Sequence, residues 1–223
     1  VHARGERAGK VEQRWSLRDF APLESEEGEP VWYHAGPSID FGDAGSWSDV
    51  VAWALPLYAA VDDPGIATLA AELGLERGRS DEAALLRAIR FVQDEIRYTG
   101  LELGAHAYEP HAPLDVARRR YGDCKDKVVV LSALLRHLGA DATPALVSTS
   151  WRDRVTDRLP SAQAFDHVIV HLEKDGREYW IDATAEQQRG GLDRMSQASF
   201  GKALLVRPGE QELRPMPATD LTL

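Results

Sequence analysis

Cysteine is almost absent from this chain of 223 residues: Cys124 stands alone. A single thiol excludes an intrachain disulfide and any zinc site built from several cysteines, and it leaves the redox compartment open. Long apolar runs are missing too. No stretch approaches the roughly 18 consecutive apolar residues that cross a bilayer, and the opening Val1-His2-Ala3-Arg4 carries no apolar signal core. Basic residues are in deficit, 26 Lys and Arg against 36 Asp and Glu, for a formal charge of −10. Half of that sits early: residues 1–60 carry 10 acids and 5 bases, whereas 121–180 carry 9 and 8. With no basic stripe to meet phosphates, nucleic acid is not an expected partner. Repeats and low-complexity tracts are also lacking.

What remains is globular in character. The chain is 43% hydrophobic, 28% charged and 8% aromatic, and long enough to bury one full core. Residues 1–45 differ from the rest. Val11–Leu17 alternates loosely and Val31-Trp32-Tyr33-His34 is apolar, with the acidic run Glu24–Glu29 between them. The pattern predicts two short strand-like pieces around a solvated loop, for which calcium binding is the alternative reading. This segment is too short to own a core, so it is either the remnant of a preceding β-rich domain or an arm on the main body.

From Ser46 the period becomes helical. Ser46 and Asp49 form a variant of the capping box ahead of Trp47, Val50, Val51 and Ala54, and Pro56 kinks or ends the run. A second helix is expected from Asp63 as cap and Pro64 as first residue, with Ile66, Leu69 and Leu73 as its stripe and Gly74 as its stop. A third, capped by Ser80 with Asp81 and Glu82 in its first turn, places Leu85, Ile89, Val92 and Ile96 on one face. Tyr98–Pro113 reads as a loop and Pro113–Arg120 as a short basic helix. The apolar face Val128, Leu131, Leu134, Leu135 and Leu138 then marks a helix ending at Gly139, with Cys124 in its first turn. Beyond it the period is two: Pro144–Thr149, Phe165–Leu172, Glu178–Asp182 and Ala203–Val206 read as strands, and Asp175-Gly176 signals a hairpin between the second and third. Helices first and antiparallel strands second predict an α+β fold rather than alternating βαβ.

A thiol in a first helical turn meets unpaired N–H groups and the positive end of the dipole, a position suited to a nucleophile. Those N–H groups, that of Cys124 included, can donate to a tetrahedral oxyanion. Gly122 allows a sharp turn or a close backbone approach there. The competing reading is a small buried hydrophobe. His167, in an otherwise apolar strand, needs a partner, because a buried ring is costly unpaired. Counting back from the hairpin places Asp182 near residue 168, within reach of His167, so a carboxylate could hold the imidazole while its other nitrogen addresses a thiol. His171, about 13 Å along the same strand face, is expected at the surface. Asp123 is expected to cap the helix, since a carboxylate beside a thiolate would oppose its ionisation. His106, Glu109 and His111 match no strong ligand spacing, so no metal is expected.

Gly122-Asp123-Cys124-Lys125-Asp126-Lys127 with its apolar helix, Phe165-Asp166-His167-Val168-Ile169-Val170, and Tyr179-Trp180-Ile181-Asp182-Ala183-Thr184 together resemble the transglutaminase-like superfamily. The likeness is to a bacterial branch in which this domain follows a β-rich domain of unknown function. Phe91–Gly100 and Arg119-Arg120-Tyr121 also fit that branch. Order and spacing agree: His lies 43 residues after Cys, and Asp 15 further on. The resemblance is strongest over 46–190 of a domain spanning 46–223, and it makes 1–45 the end of the preceding domain. It implies a papain-like fold, with Cys124 as nucleophile, His167 as base and Asp182 as orienter. Tyr98, Gly122 and Asp123 are the candidates for the oxyanion site or substrate cleft. The implied activity is thiol-dependent acyl transfer on an amide or peptide bond (protease, amidase or transglutaminase type) with a protein or peptide substrate and no cofactor. A periplasmic or exported location is implied as well, because relatives of this branch are usually exported. The competing class is a catalytically silent module of the same fold that binds peptides or scaffolds.

Overall fold

The computed structural model describes residues 2–19, 27–30, 32–33, 36–59, 63–100, 103–195 and 199–218. Packing divides the chain after Ile39 into two compact units. In the first, β1 (His2–Arg7) and β2 (Lys10–Trp15) form an antiparallel hairpin, His2 opposite Trp15. The second expected strand piece is not a strand in its described part: Tyr33 N donates to Pro30 O in a turn, at 2.8 Å. Val31, His34 and the first half of the acidic run, Glu24–Glu26, lie outside the described residues.

The second unit opens with α1 (Trp47–Leu57). Its capping box is complete, since Ser46 Oγ accepts from Asp49 N and the Asp49 carboxylate accepts from Ser46 N at 2.9 Å. Pro56 sits in its last turn. The next helix, α2 (Ile66–Glu72), starts later than expected. Asp63 Oδ1 accepts from Gly65 N at 2.7 Å, so Asp63 closes a turn over Pro64 instead of capping the helix. α3 (Glu82–Glu95) is capped by Asp81, not Ser80: the Asp81 side chain accepts from Ala84 N at 3.0 Å. A short parallel pair follows, β3 (Arg97–Tyr98) with β4 (Tyr121–Gly122), and the basic helix α4 (Pro113–Arg119) lies between them in sequence.

α5 (Cys124–His137) is the centre of the fold. Every side chain from Cys124 to Leu135 is buried, which fits a helix enclosed on all sides. It packs on α2, α3 and α4 and on β5 (Asp141–Val147) and β6 (His167–Lys174). β7 (Arg177–Ile181), β8 (Lys202–Leu205) and β9 (Arg214–Pro215) complete an antiparallel sheet of order β7-β6-β5-β8-β9. Val168, Val170 and Leu172 belong to the core around α5, whereas Ile169 joins Trp180, Phe200 and Leu205 in a second cluster. Helices followed by an antiparallel sheet is the α+β order the periodicity predicts. Among the described residues no helix is long and apolar enough to cross a membrane.

The β6–β7 register corrects the count from sequence. Asp175 (φ 53°) and Gly176 (φ 75°) are both left-handed, as a two-residue primed turn requires. Lys174 then faces Arg177 and Val170 faces Ile181. Continued one step, this puts Asp182 opposite Ile169, not Val168. The difference matters because opposed residues share a face: Asp182 becomes the diagonal neighbour of His167 on one side of the sheet. His171 is also not at the surface. It is 2% exposed, packs on Trp180 at 4.6 Å between ring centroids, and lies 3.3 Å from Glu178 Oε1. Its face of the sheet is covered by the second cluster.

Candidate active site

Three local devices hold Cys124. Asp123 takes the N-cap position, its carboxylate accepting from Asp126 N, and it also pairs with Lys125 Nζ. Asp126 is itself buried and tied to Arg119 at 2.6 Å and to His111 Nδ1 at 3.1 Å. Gly122 serves close approach rather than a left-handed turn. A Cβ there would lie 2.6 Å from Asp126 Cβ, and the fixed Asp126 carboxylate has no room to yield. The strand pairing of Tyr98 with Gly122 and the bond from Thr99 N to Gly122 O (2.8 Å) anchor the approach to α5. Cys124 follows in the first turn, 8% exposed.

His167 is the first residue of β6. Just before it, Asp166 accepts from Thr149 N at 2.6 Å and Ser150 Oγ at 2.8 Å, which secures the strand's entry against the neighbouring loop. His167 Nε2 lies 3.0 Å from Asp182 Oδ2, which leaves Nδ1 for the thiol. The other carboxylate oxygen, Oδ1, accepts from Thr184 N and Thr184 Oγ1, each at 2.8 Å. Burial pulls the imidazole pKa down, but hydrogen bonds with Asp182 and Cys124 and their negative charges outweigh it and push it up to about 10. Asp182 shows the reverse. Burial would raise its carboxyl, yet His167 and Thr184 hold it below the usual range. The two shifts are those of an imidazolium paired with the Asp182 carboxylate.

Cys124 and His167 open on one cleft of about 330 Å³, lined also by Trp53, Tyr58, Tyr108, Lys125, Phe165 and Asp166. Asp182 reaches it through His167. Tyr98 and Asp123 are not among the residues lining that cleft, and Tyr98 is 45% exposed. Tyr58 was not foreseen. Burial raises its phenol pKa, and the negative charges at Cys124, Asp123 and Asp126 raise it further, so the hydroxyl stays protonated beside the thiol. No local pattern marks it, since it simply follows the proline turn of α1. Thr184 could have been found, because Asp-x-Thr is a spacing that ties a carboxylate to the backbone two residues on. His106 stacks on His111 with centroids 3.8 Å apart and its Nδ1 lies 3.0 Å from Glu109 O. Among the described residues, no group of three or more His, Cys, Asp or Glu is placed to hold a metal ion.

Fold and site together define a mixed helical and antiparallel-sheet domain with a lone cysteine at a buried helix N-terminus, facing a histidine on a strand. The family model of the transglutaminase-like superfamily matches residues 68–185, and the chain belongs to that superfamily. No curated protein matches it. Among solved structures it is similar to a putative protease from Parabacteroides distasonis, at 17% identity and a TM-score of 0.66, over 98% of this chain and 41% of that one. A putative cysteine protease from Cytophaga hutchinsonii is 16% identical, with a TM-score of 0.40, over 59% of this chain and 42% of that one. An arylamine N-acetyltransferase from Mycobacterium abscessus is 16% identical, with a TM-score of 0.37, over 78% and 60%. The first of these similarities establishes fold, and the chain spans about two fifths of that protein's length.

Proposed function

We propose that this chain carries out thiol-dependent acyl transfer on amide or peptide bonds, with Cys124 as nucleophile, His167 as acid and base, and Asp182 as the group that orients His167. The observation that carries the reading is the 3.0 Å contact between His167 Nε2 and Asp182 Oδ2, in a ring whose pKa is pushed up to about 10. Sγ of Cys124 adds to the carbonyl carbon, and the new oxyanion accepts from the Cys124 N–H at the helix terminus. The C–N bond then breaks as His167 passes its proton to the departing amine. The acyl-thioester is released by water, activated by His167 as base, with a second amine as the competing acceptor. Water is the expected acceptor because it needs no dedicated site. The cleft's aromatic walls and its neighbouring Lys125 suit a peptide substrate. We assign residues 1–45 to the end of a preceding β-rich domain and place the protein outside the cytoplasm of a bacterium.

Fluorescein-labelled casein and dansyl-labelled amine donors separate the two acceptors. Casein cleavage that is lost in Cys124→Ala is the expected result. A second measurement is independent of substrate choice: Cys124 is expected to alkylate with iodoacetamide at pH 6 faster than a model cysteine peptide. Alkylation no faster than the peptide, or only in denaturant, would return Cys124 to the status of a buried hydrophobe.

A further inference from the structure

Lys127 is fully buried one helical turn along α5 from Cys124, and the acyl-transfer mechanism gives it no part. Its ammonium donates to Ile96 O at 2.6 Å and to Gln93 O at 3.3 Å. Both carbonyls lie at the C-terminal end of α3, where the last ones have no partner inside the helix and the dipole is negative. Burial lowers the lysine's pKa, while Glu186, Asp182 and Asp94 oppose that shift. From the same turn of α3 the Gln93 side chain, also buried, reaches the opposite way. Its Nε2 donates to Asp182 O at 2.8 Å and to Gln188 Oε1 at 2.9 Å. A continuous set of bonds therefore runs from the Cys124 helix through the end of α3 to the main chain of Asp182.

We propose that Gln93 is a positioning residue, which fixes the Asp182 peptide against the helix carrying Cys124 while Lys127 locks the turn from which Gln93 projects. The proposal rests on the acyl-transfer reading above. Two features separate it from packing alone. The amide ends on the main chain of the one residue that orients His167. Its own Oε1 is buried without a hydrogen-bond partner among the described residues, a cost that a residue kept only for packing would avoid. Thr184 sets the carboxylate's rotation and Gln93 sets the position of its backbone, so Oδ2 is left at bonding distance from His167. A displacement of about 1 Å at such a group is enough to lose a large factor in rate.

The test is the pH profile of iodoacetamide alkylation of the whole chain, compared across variants. The groups that face His167 and enter the profile are Asp182 and Cys124. Gln93→Met is expected to move the upper limb of the profile down by about one pH unit or more and to slow alkylation at pH 6 several-fold. Gln93→Asn, which keeps the amide but shortens its reach, is a second variant and is expected to show a smaller shift in the same direction. Ile89→Val, one turn back on α3, serves as a stability control: its melting temperature falls and its profile stays in place. A Gln93→Met or Gln93→Asn profile superimposed on the wild type, with only the melting temperature lowered, overturns the positioning role. If His167→Ala leaves the profile unmoved as well, the acyl-transfer reading fails instead.

Discussion

Replacing Asp182 with Asn keeps the shape of the group that holds His167 and removes its charge. In the native chain the hydrogen bonds and charges of Asp182 and Cys124 together outweigh burial and push the imidazole pKa up to about 10. In Asp182→Asn burial goes on pulling it down, and only Cys124 opposes. A hydrogen bond to a charged partner contributes about 1.5–3 kcal/mol, which is roughly 1–2 pH units. The upper limb of the alkylation profile is therefore expected to move from near pH 10 to about pH 8–9. The same loss weakens the imidazolium that stabilises the Cys124 thiolate, so alkylation at pH 6 should slow at least several-fold. Asn can also turn its own N–H toward the ring and select the wrong tautomer, a swap that costs serine proteases about 10⁴-fold in turnover. The loss here is expected to be smaller, because a thiolate is the stronger nucleophile and its ion pair is partly formed in advance. The assay is iodoacetamide labelling from pH 5 to 10.5, followed by intact mass, with circular dichroism to establish that the fold is retained. His167→Ala should slow labelling at least as much. Rates equal to wild type in both variants would refute the assignment of the three residues, even if Cys124 proved reactive.

Three further outcomes follow from the same geometry. Leu131→Ala and Leu135→Ala, at fully buried positions of α5, should each cost about 2–5 kcal/mol in urea melts. Cys124→Ala should cost far less, and equal losses would place the thiol in the core rather than at the cleft. Gly122→Ala would put a methyl against a fixed Asp126, so a loss of about 1–3 kcal/mol with slower labelling at pH 6 is expected; a variant as stable and reactive as wild type would contradict the close approach. Because His167 is raised from its ordinary 6.5 to about 10 on folding, its protonation contributes stability that is complete below about pH 6.5 and is lost as pH rises through about 10. The stability gap between wild type and His167→Gln should therefore narrow across that window, and a gap that widens with pH would reverse the sign and exclude the ion pair.

Much of the site was legible because it is local. Asp123 as cap, Cys124 in the first turn and the apolar face of α5 follow from capping chemistry and a 3.6-residue period, both of which act within a turn or two. The Asp175-Gly176 turn and the strands it joins follow likewise from backbone preference and a period of two. Errors of one residue in sequence differed widely in consequence. Moving the cap from Ser80 to Asp81 changes little, but moving Asp182 from opposite residue 168 to opposite Ile169 decides which face of the sheet its carboxylate occupies. Side chains alternate along a strand, so one residue of register is the difference between meeting His167 and pointing away from it.

Long-range placement was decided only by the tertiary structure. His171 has the same local pattern as His167, yet one is covered by Trp180 and the other borders the cleft, because the second apolar cluster closes over only part of that sheet face. Tyr58 enters the site from α1 and Gln93 from α3, and neither carries a signal in its own neighbourhood. They come close because α5, buried along its length, is enclosed by several segments distant in the sequence. The residue types of this chain determined that a cysteine would stand at a helix terminus. Which groups stand beside it depends on contacts between residues far apart in the sequence, as with Tyr58 and His167, and helical or strand periodicity holds no information at that distance.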